Sequence, residues 1–219
     1  MPLPKQIAHL ISHLQQDKPI LVAFDGVDTS GKTTLANSVY DCLKRDSKNT
    51  VQISIDCFHH PKEIRLQKGD LSPEGFFNDS FNIEKILEYV LIPVKEEKPF
   101  LTTGLYDYRS EQQIEPAKIP VTPDLIVLFD GIFLNRDELF PYWDLSIFLD
   151  VTFETVLKRA IVRDADYFGS VDEVIRRYQK RYIPGEELYL STCSPKDRAH
   201  IVIDNNNWDH PVITKGKLT

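Results

Sequence analysis

The sequence predicts an α/β fold, a mostly parallel five-stranded sheet flanked on both faces by helices, and three observations carry that expectation. Five apolar runs of strand length lie along the chain: ILVAF (20–24), VQISI (51–55), LIVLF (125–129), LSIFL (145–149) and HIVI (200–203). Helical periodicity fills the intervals, and strands alternating with helices need crossovers that favour parallel pairing. Each run is followed at once by an aspartate, namely Asp25, Asp56, Asp130, Asp150 and Asp204. Open α/β sheets bind ligands at those strand ends.

The first element expected is a helix over about residues 3–16, where Ile7, Leu10, Ile11 and Leu14 fall at helical spacing. Polar residues interrupt this stretch, so it reads as an amphipathic helix rather than a signal peptide. A helix follows Lys32, another spans 82–91, and a third begins near Thr152 with Val156, Leu157 and Ala160 on one face. A fourth starts at Ser170, where S-V-D-E forms a capping box. Five prolines between 93 and 124 make that stretch an extended excursion rather than a linker. With no repeat and no composition break, residues 1–219 read as one domain.

A net charge of −7 argues against nucleic acid or an anionic membrane as the main partner. No run approaches the length of a membrane span. Three widely spaced cysteines, without a Cys-x-x-Cys pair, fit a reduced cytoplasmic setting. Assembly into a homo-oligomer is compatible with all of this.

The most specific local signal is Gly26-Val27-Asp28-Thr29-Ser30-Gly31-Lys32-Thr33, which matches G-x-x-x-x-G-K-[ST] between a strand and a helix. Glycines let the backbone N–H groups curl inward, and the helix N-terminus adds partial positive charge. Gly26, Asp28, Thr29, Ser30, Gly31, Lys32, Thr33 and Thr34 are therefore the candidate nucleotide-binding residues, with ATP as cofactor. Lys32 is expected to reach the outer phosphates. Thr33 and Asp130, the latter at the end of DLIVLFD, are expected to hold Mg²⁺. The competing reading is a tight strand-to-helix turn with a solvated lysine.

A guanine-reading Asn-Lys-x-Asp segment is absent, which leaves a small phosphotransferase rather than a GTPase. Asp56, in SIDCFHH (54–60), is placed to accept a proton from an attacking hydroxyl. Arg159 and Arg163 share a helix face in a lid over about 159–185 and could clamp the transferring phosphoryl group. Lys32, Asp56, Arg159 and Arg163 are thus the candidate catalytic residues. A nucleotide-binding regulatory protein without an acceptor is the reading from a different class.

In order, GVDTSGKTTLA, SIDCFHH, SPEGFFNDSF, LYDY, LIVLFDGIFL, DLSIFLDV, KRAIVRD and IVIDN resemble the uridine kinase family, relatives of phosphoribulokinase and pantothenate kinase, over roughly residues 18–211. The resemblance implies a three-layer P-loop kinase fold with an arginine-bearing lid. It also implies ATP-dependent transfer to a primary hydroxyl of a nucleoside-like small molecule, uridine or cytidine first, with a vitamin precursor or a sugar as the alternative. It makes Asp56 the proton acceptor, sets Phe58 and His59 near the acceptor, and gives Tyr106 and Tyr108 the aromatic contacts to the base. Three departures stand out. Y-D-Y-R-S-E-Q lacks the pyrimidine-reading histidine, the ribose-holding acid falls to Glu74 or Asp79, and D-A-D-Y-F-G-S lacks an extra lid arginine.

Overall fold

All five apolar runs become strands of one central sheet in a computed structural model that describes residues 1–218. In chain order the strands are β1 (Ile20–Gly26), β2 (Thr50–Ser54), β3 (Phe100–Thr102), β4 (Tyr106–Asp107), β5 (Gln112–Gln113), β6 (Lys118–Pro120), β7 (Ile126–Asp130), β8 (Leu145–Asp150), β9 (Ile201–Asp204) and β10 (Val212–Lys215). The helices are α1 (Leu3–Leu14), α2 (Lys32–Arg45), α3 (Lys62–Arg65), α4 (Pro73–Asp79), α5 (Ile83–Ile86), α6 (Ile92–Lys95), α7 (Phe153–Phe168), α8 (Val171–Arg177), α9 (Ile183–Cys193) and α10 (Pro195–Arg198).

The central sheet has six strands, not the five expected, in the order β10-β9-β8-β1-β7-β2. The addition is β10, antiparallel to β9 at the edge. Its residues are mostly exposed, so it lacks the apolar run that marks a buried strand. Every other neighbour pair is parallel. The sheet is covered on both faces, which is why its strands read as continuous apolar runs. Along β1, Ile20, Val22 and Phe24 face the layer holding α1 and α2, while Leu21 and Ala23 face the layer holding α4 to α6 and α9. Burying one such large apolar side chain stabilises the fold by roughly 1.5–3 kcal/mol.

The helix expected over 82–91 runs further, from α5 through a π turn at Leu87–Leu91 into α6. A second π turn, Tyr178–Tyr182, joins α8 to α9. Each turn is followed at once by a helix with proline in its first turn, Pro93 and Pro184. Proline offers no N–H to the preceding turn, and a wider turn absorbs the mismatch. The remainder of the proline-rich stretch forms two nested antiparallel pairs, β3 with β6 enclosing β4 with β5. Among the described residues no helix is long and apolar enough to cross a membrane.

β1 lies between β7 and β8, so the loop leaving it emerges at the middle of the sheet's carboxyl edge. The ends of β7 and β8 flank that loop, with the end of β2 one strand further out. Asp56, Asp130 and Asp150 therefore converge on one rim.

Candidate active site

Backbone geometry explains the glycines of the loop Gly26–Thr33. Gly31 precedes α2 with φ +95°, and a Cβ there would sit 2.7 Å from Asn205 Nδ2. At Gly26 a Cβ would meet Ser30 Oγ at 2.6 Å and the Leu149 carbonyl at 2.7 Å. Asn205 pins the loop from outside, its Nδ2 donating to the Ser30 carbonyl at 2.7 Å. Thr29 adopts a left-handed φ of +54° and donates from Oγ1 to the Val156 carbonyl at 3.1 Å. Lys32 is folded over the loop, its Nζ donating to the Val27 carbonyl at 3.2 Å. Thr34 is exposed in the first turn of α2.

Two residues expected to share a metal meet directly. Thr33 Oγ1 donates to Asp130 Oδ2 at 2.7 Å, and Gln52 Nε2 donates to Asp130 Oδ1 at 3.1 Å. A hard divalent cation takes oxygen ligands, and a hydroxyl beside a carboxylate at the phosphate loop is a donor set that fits Mg²⁺.

Asp56 opens the short 3₁₀ turn Ile55–Phe58 at the end of β2. Asp56 is exposed to solvent at the carboxyl edge of the sheet, although much of the protein packs around its carboxyl. Burial by that surround pushes its pKa up to about 6, Lys32 opposes the rise, and the charges of Asp28 and Asp130 add to it. A base poised near neutrality suits proton removal from a hydroxyl.

His59 lies between Phe81 and Tyr108, with ring centroids 4.4 and 4.5 Å away. Burial lowers its pKa to about 4, so the imidazole is neutral. Its Nδ1 is 3.0 Å from the Asp56 carbonyl, which only accepts, so Nδ1 carries the proton. Tyr106 donates to Glu111 Oε2 at 2.9 Å, and Arg65 pairs with the same carboxylate. Phe58 departs from its expected place at the acceptor. It is fully buried against Phe129, because the 3₁₀ turn carries its ring inward. Of the two candidate ribose-holding acids, Asp79 pairs with Lys68 and Glu74 accepts from Ser72.

The two lid arginines have different partners. Arg159 Nη1 donates to the Thr29 carbonyl at 3.2 Å and Nη2 to the Asn205 and Asn206 carbonyls at 2.7 and 3.2 Å. Its guanidinium also stacks 3.8 Å from the Trp208 ring centroid. Arg159 thus buttresses the loop from its flank instead of facing the phosphate seat. Arg163 reaches the loop itself and pairs with Asp28. Burial would raise the Asp28 carboxyl, but Arg163 and then Lys32 outweigh it and hold Asp28 well below the usual carboxylate range.

The phosphate loop and the strands around it have counterparts among known proteins. The model of the phosphoribulokinase / uridine kinase family matches residues 21–208. The chain belongs to that family. Among curated relatives, the uridine kinase of Bacillus velezensis is 29% identical over 202 residues, covering 89% of this chain and 90% of the relative. A solved structure described as a possible uridine kinase from Bacillus stearothermophilus superposes with a TM-score of 0.72 at 21% identity, covering 92% of this chain and 99% of that one. D-glycerate 3-kinase from Cryptococcus neoformans superposes at 0.61 with 14% identity, over 86% and 88% of the two chains. The P-loop kinase fold is therefore shared across relatives whose described substrates differ.

Several contacts that build this kinase's site escaped the sequence reading, which placed Asp25 only as a strand-end aspartate and did not single out Glu186. Asp25 is wholly buried and accepts from Gly26 N, from Asn135 N and Nδ2, and from the Tyr189 hydroxyl. Glu186, also wholly buried, accepts the Asp28 N–H with Oε1, while its Oε2 has no partner among the described residues. Burial, and then the charge of Asp28, push its pKa up to about 8. Glu186 comes from R-Y-I-P-G-E-E-L, where only the choice of glutamate on an inward helix face signals a role.

Proposed function

We propose that the protein is an ATP- and Mg²⁺-dependent kinase that moves the γ-phosphoryl group to a primary hydroxyl of a nucleoside-like small molecule, uridine or cytidine first. The arrangement that carries this reading is Asp56 at the end of β2, on the same rim as the phosphate loop and the Thr33–Asp130 pair, with its pKa raised to about 6. A protein that only binds nucleotide has no use for a base beside the phosphates. Lys32 and the loop N–H groups hold the phosphates, and Thr33 and Asp130 hold the metal. The bound cation would neutralise charge on the phosphate oxygens. Asp56 takes the proton of the acceptor hydroxyl, and Arg163 supplies positive charge where it develops.

Phe81, His59 and Tyr108 form an aromatic wall beside Asp56, which suits a flat base. One observation favours a second acceptor class, a sugar or vitamin precursor. The segment Tyr106–Gln112 carries no histidine to read a pyrimidine edge, and its Glu111 is already engaged by Arg65, Tyr106 and the Lys62 N–H. The test is a screen of ATP turnover against uridine, cytidine, other nucleosides, sugars and pantothenate-like alcohols. Turnover with uridine or cytidine highest supports the proposal. ATP binding without transfer to any hydroxyl compound would overturn it in favour of a regulatory protein.

A further inference from the structure

Arg163 is held at the mouth of the phosphate loop by more acceptors than a bystander needs. Its Nη1 and Nη2 donate to Asp28 Oδ1 and Oδ2 at 3.0 and 2.9 Å. Its Nε and Nη2 donate to Asp164 Oδ1 and Oδ2 at 2.7 and 2.9 Å, and Nη2 also lies 3.0 Å from the Tyr178 hydroxyl. A guanidinium has five N–H groups, and these contacts leave at most one for a phosphoryl oxygen. In this arrangement Arg163 cannot clamp the transferring group.

The two carboxylates differ in what carries them. Asp164 sits beside Arg163 on α7 and travels with it. Asp28 is fixed in the loop, its Oδ1 accepting the Thr29 N–H at 2.9 Å and its own N–H held by Glu186. The Tyr178 hydroxyl lies between Asp28 Oδ2 at 2.5 Å and Asp164 Oδ2 at 2.8 Å. It has one proton and can serve only one of them at a time. Tyr178 is itself fixed. It is buried with Val27, Val151 and Val156, and three residues on, in the same π turn, Arg181 donates to the Gly69, Asp70 and Ser72 carbonyls. The Arg163 side chain, in contrast, is 51% exposed.

We infer that Asp28 and Tyr178 are positioning residues that make Arg163 exchangeable. Before nucleotide binds, Asp28 holds the guanidinium. When ATP arrives, γ-phosphoryl oxygens replace Asp28 on Arg163, and the Tyr178 proton is given wholly to Asp28. Arg163 keeps Asp164 throughout, so only one of its two carboxylate pairs is traded. No bond other than hydrogen bonds is made or broken. The inference rests on the kinase reading, since it requires a γ-phosphoryl at the loop.

Calorimetry with the Mg²⁺ complexes of ADP and of a non-hydrolysable ATP analogue, on the full chain, tests it. Asp28→Asn removes the competitor, so the analogue is expected to gain about tenfold more affinity than ADP gains, the scale of one charged hydrogen bond. Equal gains for both would report charge removal alone and overturn the exchange, as would weaker binding of both. Tyr178→Phe keeps the ion pair but removes the proton that takes over, so the analogue should bind several-fold more weakly with ADP unmoved. Unchanged analogue affinity in that variant also overturns it. Wild-type protein that binds neither nucleotide would sink the donor-site reading itself, a result distinct from either failure of the exchange.

Discussion

Thr33 Oγ1 donates to Asp130 Oδ2 at 2.7 Å, tying the first turn of α2 to the end of β7. A hydroxyl already aimed at a carboxylate needs little rearrangement to share a cation with it. Asp130→Asn keeps the shape but halves the oxygen donors and removes the charge. The expected result is a Mg²⁺ requirement raised about 10- to 100-fold, read from turnover against Mg²⁺ concentration, with metal-free nucleotide binding no weaker. An unchanged Mg²⁺ curve would place the metal elsewhere.

In the proposed role of base, Asp56 works only when ionised. Its pKa of about 6 puts the acid limb of kcat/KM there, with activity falling as pH drops through that value and flat above it. Asp56→Asn should cost about 10²- to 10⁴-fold in transfer while leaving ATP affinity near wild type. Lost ATP affinity in that variant would instead assign Asp56 a role in holding the loop.

Phe58 and Tyr108 flank the same histidine segment and should separate cleanly. Phe58 is buried against Phe129, so Phe58→Ala should lower stability by about 3–5 kcal/mol in urea unfolding. Tyr108 is half-buried on the cleft wall beside His59. Tyr108→Ala should spare stability and raise the acceptor KM roughly tenfold, the scale of base–aromatic stacking. A Tyr108→Ala variant that unfolds early with an unchanged KM would make the aromatic wall a structural feature.

The five buried strands and the phosphate loop were legible because each carries an unambiguous physical signal, a continuous apolar run or a backbone that only glycine permits. β10 was not, because an exposed edge strand such as Val212–Lys215 has no apolar face to show. The lid arginines were legible as residues but not as partners. Spacing puts Arg159 and Arg163 on one helix face, yet Arg159 turns to the Asn205 and Asn206 carbonyls only because the loop after β9 folds beside α7. The partners of Asp25, and the parts played by Glu186 and Tyr178, were hidden for the same reason. Their roles depend on which distant elements pack over them, as Tyr178 does 150 residues from Asp28.

Glu186 should leave a signature in the pH dependence of stability. Its carboxyl titrates near 4.5 when unfolded and about 8 when buried under the loop. The folded state holds that proton more tightly, so the stabilising contribution is complete below the unfolded value and is lost as pH rises through about 8. The slope is up to roughly 1.4 kcal/mol per pH unit across that window. Glu186→Gln preserves an oxygen acceptor for the Asp28 N–H and cannot titrate. Thermal unfolding from pH 5 to pH 9 should therefore show wild type losing Tm relative to the variant as pH rises. A constant difference between the two curves would mean that Glu186 is already ionised in the folded protein, its charge met by Lys32 and Arg163 across the loop.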